Sequence, residues 1–388
     1  MNIKSLPTTL GLVAGLLLGT ATGALAEQQG ITDTEILIGE VLPVSGPPAL
    51  LGFAHTLGVK AAAAEINAAG GINGRMIRII VEDDGYVNSR TVEGVRKLLT
   101  VHKVFALTSL SGAAQGLTVL PLVRDSGIPA ISPIGIAEEL HTPLVPNIFV
   151  VGSTYDAASE AIVRELSALN PGKSWGIIVQ DDEYGSLTHQ GFDRALADLK
   201  FDVAYDDKYT RGQRDFSSEM LRLQASGAEL FMMGGIIAEN VGMAKELERL
   251  GYDIPLGSSF VGRVPAILKL MGDAGSNLYA TDYVVPEQSE KGIAFLEKLS
   301  GFLTEDEMAA TNRYTFTGYI AARAMFEAIS RCGAEPTWDC TIEKLEGLTD
   351  FETGISSPVS FSADDHFARL ELGLMKANVD VLAFEPVK

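Results

Sequence analysis

The feature that most constrains how this chain can fold is an alternation of short apolar, β-rich runs with longer segments of helical periodicity. The alternation begins near residue 35, crosses a break at 149–152, and then resumes until about residue 285. Strands that alternate with helices of this length are typical of parallel sheets covered by helices on both faces. Two runs of the pattern therefore predict two doubly wound α/β lobes.

The individual elements can be assigned in chain order. Strands are predicted at 35–43, 76–82, 104–108, 129–132, 149–152, 175–180, 202–209, 230–234, around 256 and at 279–285. Helices are predicted at 53–69 and 89–99, in a segment ending at 126, and at 155–169, 186–199, 216–225, 239–250, 289–303 and 314–330. Beyond residue 355 the pattern changes, because 358–361 and 369–384 alternate as antiparallel strands do.

This order predicts that the backbone passes between the lobes three times, near residues 150, 284 and 355. The first lobe is predicted to contain residues 27–149 plus 284–354, and the second lobe residues 150–283 plus 355–388. Three connecting strands form a hinge. Ligands of open α/β sheets bind at the carboxyl ends of the strands, so two such sheets facing each other predict a cleft that hinge motion closes.

Residues 1–26 have the layout of a secretory signal peptide. Lys4 supplies a positive charge, residues 10–18 are apolar, and Ala24-Leu25-Ala26 matches an A-x-A cleavage site. The apolar run is shorter than the ~20 residues that span a bilayer, and no cysteine stands at the cleavage site to carry a lipid. We therefore expect an exported, periplasmic protein that begins at Glu27 and is not inserted in a membrane.

The net charge of the chain limits which partners it can bind. The formal net charge is −20, and loss of Lys4 with the signal peptide makes it −21. An acidic surface of this size repels nucleic acid and anionic lipid. We expect neither as a partner, and we expect a monomer.

The residue types that bind metals do not show the spacing of a metal site in this sequence. The acidic clusters lack the spacing of a calcium-binding loop. The histidines lack the spacing of metal ligands; they stand at positions 55, 102, 141, 189 and 366. We expect no metal and no cofactor.

Cys332 and Cys340 lie close together in the sequence, in a segment that contains Gly and Pro. In an oxidising compartment this pair predicts a disulfide; two unpaired thiols are the alternative.

The segment 105–115 passes from a predicted strand to a predicted helix through small residues. Such a turn directs backbone N–H groups and hydroxyls at open space, where they can hold a carboxylate or another polar group. Small residues are also what an ordinary tight turn requires. The segment around Ser111 is therefore a candidate ligand site, with an ordinary turn as the alternative.

Six motifs occur in a fixed order over most of the chain. They are IGEVLPVSGP at 38–47, AEINAAGGING at 64–74, VEDD at 81–84, SGIPAISP at 126–133, DEYG at 182–185 and FSADDH at 361–366. Together they resemble the periplasmic solute-binding proteins of branched-chain amino acid ABC transporters, from about residue 32 to residue 384. The resemblance implies a type I periplasmic binding protein fold, capture of a small organic solute between the lobes, and delivery to a permease in the inner membrane.

The resemblance also implies which residues of the first lobe hold a ligand carboxylate. Family members use a Ser and backbone N–H groups after the third strand, and these positions read Ser111, Gly112 and Ala113 here. A Thr beyond the fourth strand completes the family's set, but the matching position reads Ile136. One hydroxyl of the family pattern is therefore missing.

Other matching positions describe the rest of the pocket. The acidic residue that meets the ammonium of an α-amino acid is replaced by Ser259, and two aromatic positions read Leu51 and either Ile236 or Ile237. Glu239 or Asp182 could supply the missing carboxylate from nearby. Cleft-lining roles carry over to the remaining positions, Ile134, Tyr184 and either Tyr314 or Phe316.

These replacements predict a pocket more apolar than an amino acid requires, because a buried ammonium without a carboxylate is costly. An apolar or aromatic monocarboxylate or amide fits better. A sensory receptor of the same fold, which reports the ligand to a signalling partner, is the alternative function. A hydrolase is less favoured, since no G-x-S-x-G motif surrounds Ser111 and the chain has no H-E-x-x-H motif.

Overall fold

The computed structural model describes Met1 and residues 28–46, 48–132 and 134–387. The predicted signal peptide, apart from Met1, lies outside the described residues. The described strands are β1 Glu35–Leu42, β2 Met76–Asp83, β3 Ala106–Leu110, β4 Ala130–Ser132, β5 Ile148–Gly152, β6 Trp175–Gln180, β7 Val203–Tyr209, β8 Leu230–Gly234, β9 Leu256–Ser258, β10 Leu278–Asp282, β11 Phe367–Arg369, β12 Gly373–Asn378 and β13 Ala383–Pro386.

The helices lie between and after these strands. They are α1 Ala49–Ala68, α2 Asn88–Thr100, α3 Ala113–Ser126, α4 Tyr155–Leu169, α5 Glu183–Leu199, α6 Ser217–Ser226, α7 Ala238–Arg249, α8 Pro265–Met271, α9 Glu290–Leu299, α10 Glu305–Ala309, α11 Arg313–Arg331 and α12 Trp338–Glu346. Short 3₁₀ turns occur at Glu138–Leu140, Phe260–Gly262 and Gly272–Gly275.

The strands form two sheets, which confirms the predicted two-lobed α/β architecture. The first sheet has six strands in the order β11-β5-β4-β3-β1-β2, and all its neighbours are parallel. The second has seven strands in the order β13-β12-β10-β9-β8-β6-β7, parallel except for the antiparallel β12 and β13. We call each sheet with its packed helices the first and the second lobe.

The chain crosses between the sheets after β5, after β10 and after β11. The third crossing differs from the predicted division, which assigned residues 355–388 to the second lobe. Strand β11 pairs in parallel with β5 of the first sheet, at Phe367↔Val150, so the chain joins the second sheet only at β12. The backbone near residue 355 does approach the second crossing, since Val285 N donates to Ile355 O at 2.9 Å. A three-residue parallel strand is too short to show periodicity in the sequence.

Several predicted elements change at their ends. Helix α5 begins at Glu183 rather than 186, because the side chain of Asp182 accepts from Gly185 N and caps it. The predicted helix 289–303 corresponds to α9 and ends at Leu299, and α8, α10 and α12 were not predicted. The predicted strand 358–361 is represented by a single bridge between Phe351 and Val359.

Helices α1 and α11 pack closely in the first lobe through two glycines. A Cβ on Gly58 would lie 2.0 Å from Thr315 O, and one on Gly318 would lie 2.2 Å from His55 O. Among the described residues, α1 is the one helix long and apolar enough for a membrane span by length and composition. It is a core helix here, since much of its surface is buried against the rest of the lobe.

Cys332 and Cys340 are joined by a disulfide bond, with Cα atoms 6.0 Å apart. The bond connects the end of α11 to α12, on the first lobe. Among the described residues, no group of three or more His, Cys, Asp and Glu side chains is placed to hold a metal ion.

Strand order locates the place where a ligand can bind. In the first sheet the chain turns in opposite directions on either side of β1 and β3, and in the second sheet it does so on either side of β6 and β8. Loops diverge at such switch points and leave a crevice beyond the carboxyl ends of the strands.

Candidate functional site

A cavity in two chambers lies between the carboxyl ends of the two sheets. The outer chamber has a volume of about 220 Å³ and is lined by Pro48, Gly85, Tyr86, Val87, Gln180, Arg211, Gly212, Ile236, Ile237, Ala238 and Glu239. The inner chamber, about 20 Å³, is lined by Leu42, Pro43, Leu51, Gly52, Tyr86, Ser111, Gly112, Ile134, Tyr155, Tyr184, Ile236 and Val261. Tyr86 and Ile236 line both chambers, so the chambers adjoin.

Ser111 lies in the inner chamber, immediately after β3. Its φ is +64°, a left-handed conformation that a residue with a side chain adopts at a cost. Its Oγ is fully buried and has no hydrogen-bond partner among the described residues. A strained backbone and an unpaired buried hydroxyl at one position are typical of a residue held in place for a ligand.

The residues after Ser111 prepare the start of α3. Gly112 precedes the helix and no side chain caps it, so its first N–H groups lack side-chain partners. The site requires glycine there, because a Cβ on Gly112 would lie 2.6 Å from Cε2 of Tyr86. Gly135 is constrained in the same way, since a Cβ there would lie 2.3 Å from the carbonyl carbon of Gly112.

Tyrosine side chains form the aromatic wall of the inner chamber. The ring centroids of Tyr155 and Tyr184 are 4.8 Å apart in an edge-to-face arrangement, and Phe260 stacks on Tyr155 at 5.2 Å. Tyr184 OH donates to Gly235 O at 3.1 Å. Burial raises the pKa of Tyr184 to about 12, so the phenol stays neutral and can donate.

Three neighbouring phenols differ from Tyr184 in having free hydroxyls. Those of Tyr86, Tyr155 and Tyr314 make no hydrogen bond to another described residue. Burial raises the pKa of Tyr155 well above its usual value, and the nearby hydroxyls of Tyr314, Tyr86 and Tyr184 raise it further. The cluster therefore presents neutral, unpaired donors close together.

The outer chamber contains the charged groups of the site. Arg211 forms an ion pair with Asp182, which also accepts from Gln180 Nε2 and, through Oδ1, from Gly185 N at 3.2 Å. Glu239, in the first turn of α7, is only 9% exposed. Burial raises the pKa of Glu239, although the backbone N–H groups around it and Arg211 lower it in part.

An ion cluster supports the aromatic wall from behind. Arg313 donates to both oxygens of Asp282, and Arg263 donates to Asp282 and, at 2.5 Å, to Glu287. Burial alone would raise the pKa of Asp282, but the two guanidinium groups hold it below its usual value. The guanidinium of Arg313 also lies 4.6 Å from the ring centroid of Tyr314.

The predicted site residues divide into two groups. Leu51, Ser111, Gly112, Ile134 and Tyr184 line the inner chamber, and Ile237 lines the outer chamber. Ala113, Ile136, Ser259 and Tyr314 line neither.

The second group lies close behind the cavity. Ile136 packs with Leu140, Val150 and Phe367 in the core of the first lobe. The Oγ of Ser259 accepts from Val261 N at 3.4 Å and approaches the hydroxyl of Tyr184, whose pKa it lowers in part.

The structure adds lining residues that the sequence analysis did not select. Tyr86, Tyr155 and Arg211 are the most prominent of them. Each follows the carboxyl end of a strand, and that position is the signal that could have identified them. None of the histidines lines either chamber.

Comparison with known proteins relates this geometry to a family. The family model described as "Periplasmic binding protein" matches residues 35–380. The chain is 24% identical over 376 residues to "Leu/Ile/Val-binding protein homolog 8" of Brucella suis biovar 1, which covers 92% of this chain and 91% of that protein.

Solved structures share the fold, among them the following two. A branched-chain amino acid ABC transporter protein from Thermus thermophilus with bound valine superposes with a TM-score of 0.82 at 18% identity, covering 93% of this chain and 96% of that one. The solute-binding protein of an ABC transporter from R. palustris, in complex with 4-hydroxybenzoate, gives 0.81 at 18% identity, covering 91% and 96%. With the family model matching most of its length, this chain belongs to the periplasmic binding protein family.

Proposed function

We propose that this chain is the periplasmic substrate-binding component of an ABC importer, and that it captures a small apolar or aromatic monocarboxylate or amide between its lobes. The first lobe binds the polar head at Ser111, and aromatic and aliphatic residues of both lobes cover the body. The closed form then docks on a permease in the inner membrane, which family membership implies.

The observation that carries the proposal is the buried, unpaired Oγ of Ser111 beside the free hydroxyls of Tyr86 and Tyr155. A polar group removed from water needs a partner, and among the described residues the Ser111 Oγ has none. A ligand head that accepts hydrogen bonds supplies a partner for it and for the neighbouring tyrosine hydroxyls. A carboxylate and an amide oxygen both meet this requirement.

The charges around the chambers favour these heads over an α-amino acid. The position that carries an acid in amino acid binders of the family reads Ser259, and Asp182 is already engaged by Arg211. Glu239 lines the outer chamber only, and none of the residues that line the inner chamber is acidic, so an ammonium in the inner chamber would be buried without an adjacent anion, which is costly.

The shape of the cavity sets the size and polarity of the ligand body. Ile236 and Ile237 with the tyrosine rings give a largely apolar lining, and the volume lies below the range of about 300–1,000 Å³ that is usual for drug-sized ligands. A small apolar body is the best match. Relatives of the same fold carry valine in one structure and 4-hydroxybenzoate in another, so the fold accommodates both chemical classes.

The proposal is tested by a thermal-shift screen of the mature protein against L-amino acids, aliphatic and aromatic monocarboxylates, and the matching amides. A micromolar ligand at millimolar concentration stabilises the folded state by about 4 kcal/mol, which is readily detected. Hits among carboxylates or amides support the proposal. A response confined to amino acids would show that another carboxylate holds an ammonium, and no response in any set would contradict the proposed ligand class.

A substitution then locates the head group. Ser111→Ala is expected to weaken binding of the best ligand by about 1–2 kcal/mol, because a donor to the head is lost. Ser300→Ala, at an exposed position outside both chambers, is the matched control. Calorimetric titration gives both affinities, and an unchanged affinity for Ser111→Ala would remove Ser111 from the site.

A further inference from the structure

A single side chain of the second lobe hydrogen-bonds across the mouth of the cleft. The guanidinium of Arg211 lies 4.7 Å from the ring centroid of Tyr86, which belongs to the first lobe. Arg211 Nη1 also donates to Tyr86 O at 3.4 Å. Among the described residues no other side chain makes a hydrogen bond between the lobes on the side away from the hinge.

Arg211 is fixed on its own lobe. Asp182 pairs with it, and Asp182 is in turn held by Gln180 and by Gly185 N at the start of α5. The guanidinium is therefore oriented toward Tyr86 before the lobes meet. An oriented, partly buried guanidinium stacks on an aromatic ring at a lower entropic cost than a free one.

Tyr86 is equally constrained on the first lobe. Its φ is +65°, and its carbonyl also accepts from Gln115 Nε2 at 3.0 Å. Its ring contacts the position where Gly112 must have no side chain, and it lines both chambers. A group that fixes this ring therefore fixes a wall of the ligand site.

Tyr86 and Arg211 both lie at the edge of their sheet that is far from the hinge. Tyr86 follows β2 and Arg211 follows β7, and these are the edge strands of the first and second sheets. The three crossings leave β5, β10 and β11, which lie toward the opposite edges. Rotation about the hinge displaces the far edges most, so a contact there resists opening more effectively than one near the hinge.

We propose that Arg211 is a positioning residue that clamps the closed cleft, holding Tyr86 over the ligand chambers whether or not a ligand is present. That the clamp retains a ligand rests on the proposed function; closure itself depends only on this chain. Arg211 determines the relative populations of the open and closed forms. Because Tyr86 lines both chambers, its contact with Arg211 also fixes the position of the chamber wall in the closed form.

The test measures closure in the mature protein without any ligand. Nitroxide labels are attached at Arg96→Cys on α2 and Leu221→Cys on α6, two exposed positions on different lobes. The native cysteines are paired, so only the introduced thiols react. Pulsed electron spin resonance then gives the distribution of distances between the labels.

The expected result is a distribution dominated by the closed distance in the parent, with a longer distance gaining in Arg211→Ala. Loss of the stacking and the hydrogen bond is expected to lower the ratio of closed to open molecules about tenfold. Arg211→Lys keeps the charge for Asp182 but loses the planar group, and an intermediate ratio is expected. Arg222→Ala is the matched control, since Arg222 pairs with Asp207 within the second lobe.

Two results would overturn the clamp. One is a parent protein already dominated by the long distance, and the other is an Arg211→Ala distribution equal to that of the parent or to that of Arg222→Ala. The measurement contains no ligand, so a negative solute screen leaves it unaffected. The failure of the clamp and the failure of the proposed function are thus separately visible.

Discussion

The carboxylate of Asp282 accepts two hydrogen bonds from Arg313, at 2.6 Å from Nε to Oδ2 and at 2.7 Å from Nη2 to Oδ1. Asp282 ends β10 of the second lobe, and Arg313 begins α11, which packs on α1 of the first lobe. Both side chains are buried. The pair therefore joins the lobes at the second crossing, directly behind the aromatic wall.

Asp282→Asn is expected to destabilise the protein by about 3–5 kcal/mol. Removing one partner of a buried ion pair leaves the other charges uncompensated, and here Arg313 loses its carboxylate partner while Arg263 keeps only Glu287. Urea unfolding followed by far-UV circular dichroism measures the change. Asp273→Asn, an exposed aspartate on the same lobe, is the control and should change stability little. Equal stability of the two variants would show that the buried pair contributes nothing net.

The pH dependence of stability can be tested at His189. Its ring nitrogens each lie 3.0 Å from a carboxylate oxygen, of Asp193 and of Asp206. Burial lowers the pKa of His189, but these carboxylates outweigh burial and raise it above 6.5. A raised pKa in the folded state stabilises fully below pH 6.5, and the contribution is lost as the pH rises through the folded value.

His189→Gln should therefore cost stability at pH 6 and little at pH 8.5. The difference is expected to stay under about 1 kcal/mol, since the pairs are partly exposed and screened. Thermal or urea unfolding at both pH values measures it. His141 provides a control of opposite sign, because burial and Arg369 lower its pKa and its contribution is lost as the pH falls. A His189→Gln penalty that is equal at both pH values would contradict the assignment.

The strain at Ser111 gives a prediction in which stability and binding change in opposite directions. Ser111→Gly removes the cost of a side chain at φ +64°, so the ligand-free protein should gain about 1 kcal/mol. The same change removes the hydroxyl and should weaken binding. Lys200→Gly, at φ +56° on the surface, should stabilise without affecting affinity. Unfolding curves and titrations of both variants decide the matter, and a Ser111→Gly variant that binds as tightly as the parent would exclude a role for the hydroxyl.

The two-lobed α/β fold could be predicted because the sequence pattern of each strand and helix lies within that element. Each β-α step buries a strand and one face of a helix, so the apolar periodicity is present wherever the element is long enough. The third crossing was misplaced because β11 has three residues and carries no pattern. The place of β11 beside β5 depends on pairing with a strand that is distant in the sequence.

The candidate site could be predicted only where one segment determines it. Ser111 stands in a strand, turn and helix start that are contiguous in the sequence. Tyr86 and Arg211 are 125 residues apart and meet only because two edge strands of different sheets face each other. Ile136 illustrates the opposite error, since its neighbour Ile134 lines the chamber while Ile136 packs in the core. Side-chain direction changes along an extended segment, and a matching sequence position does not specify it.

Two tyrosines of the aromatic wall differ in one respect that separates folding from binding. Tyr184 OH donates to Gly235 O at 3.1 Å, whereas Tyr155 OH has no partner among the described residues. Tyr184→Phe should therefore destabilise the ligand-free protein by about 1 kcal/mol. Tyr155→Phe should leave that stability within about 0.5 kcal/mol. It should instead weaken binding of the best ligand from the screen, by about 0.5–1.5 kcal/mol, because the unpaired phenol is a donor for the ligand. Urea unfolding without ligand and calorimetric titration with it measure the two effects, and a Tyr155→Phe variant that is unstable but binds normally would reverse the assignment.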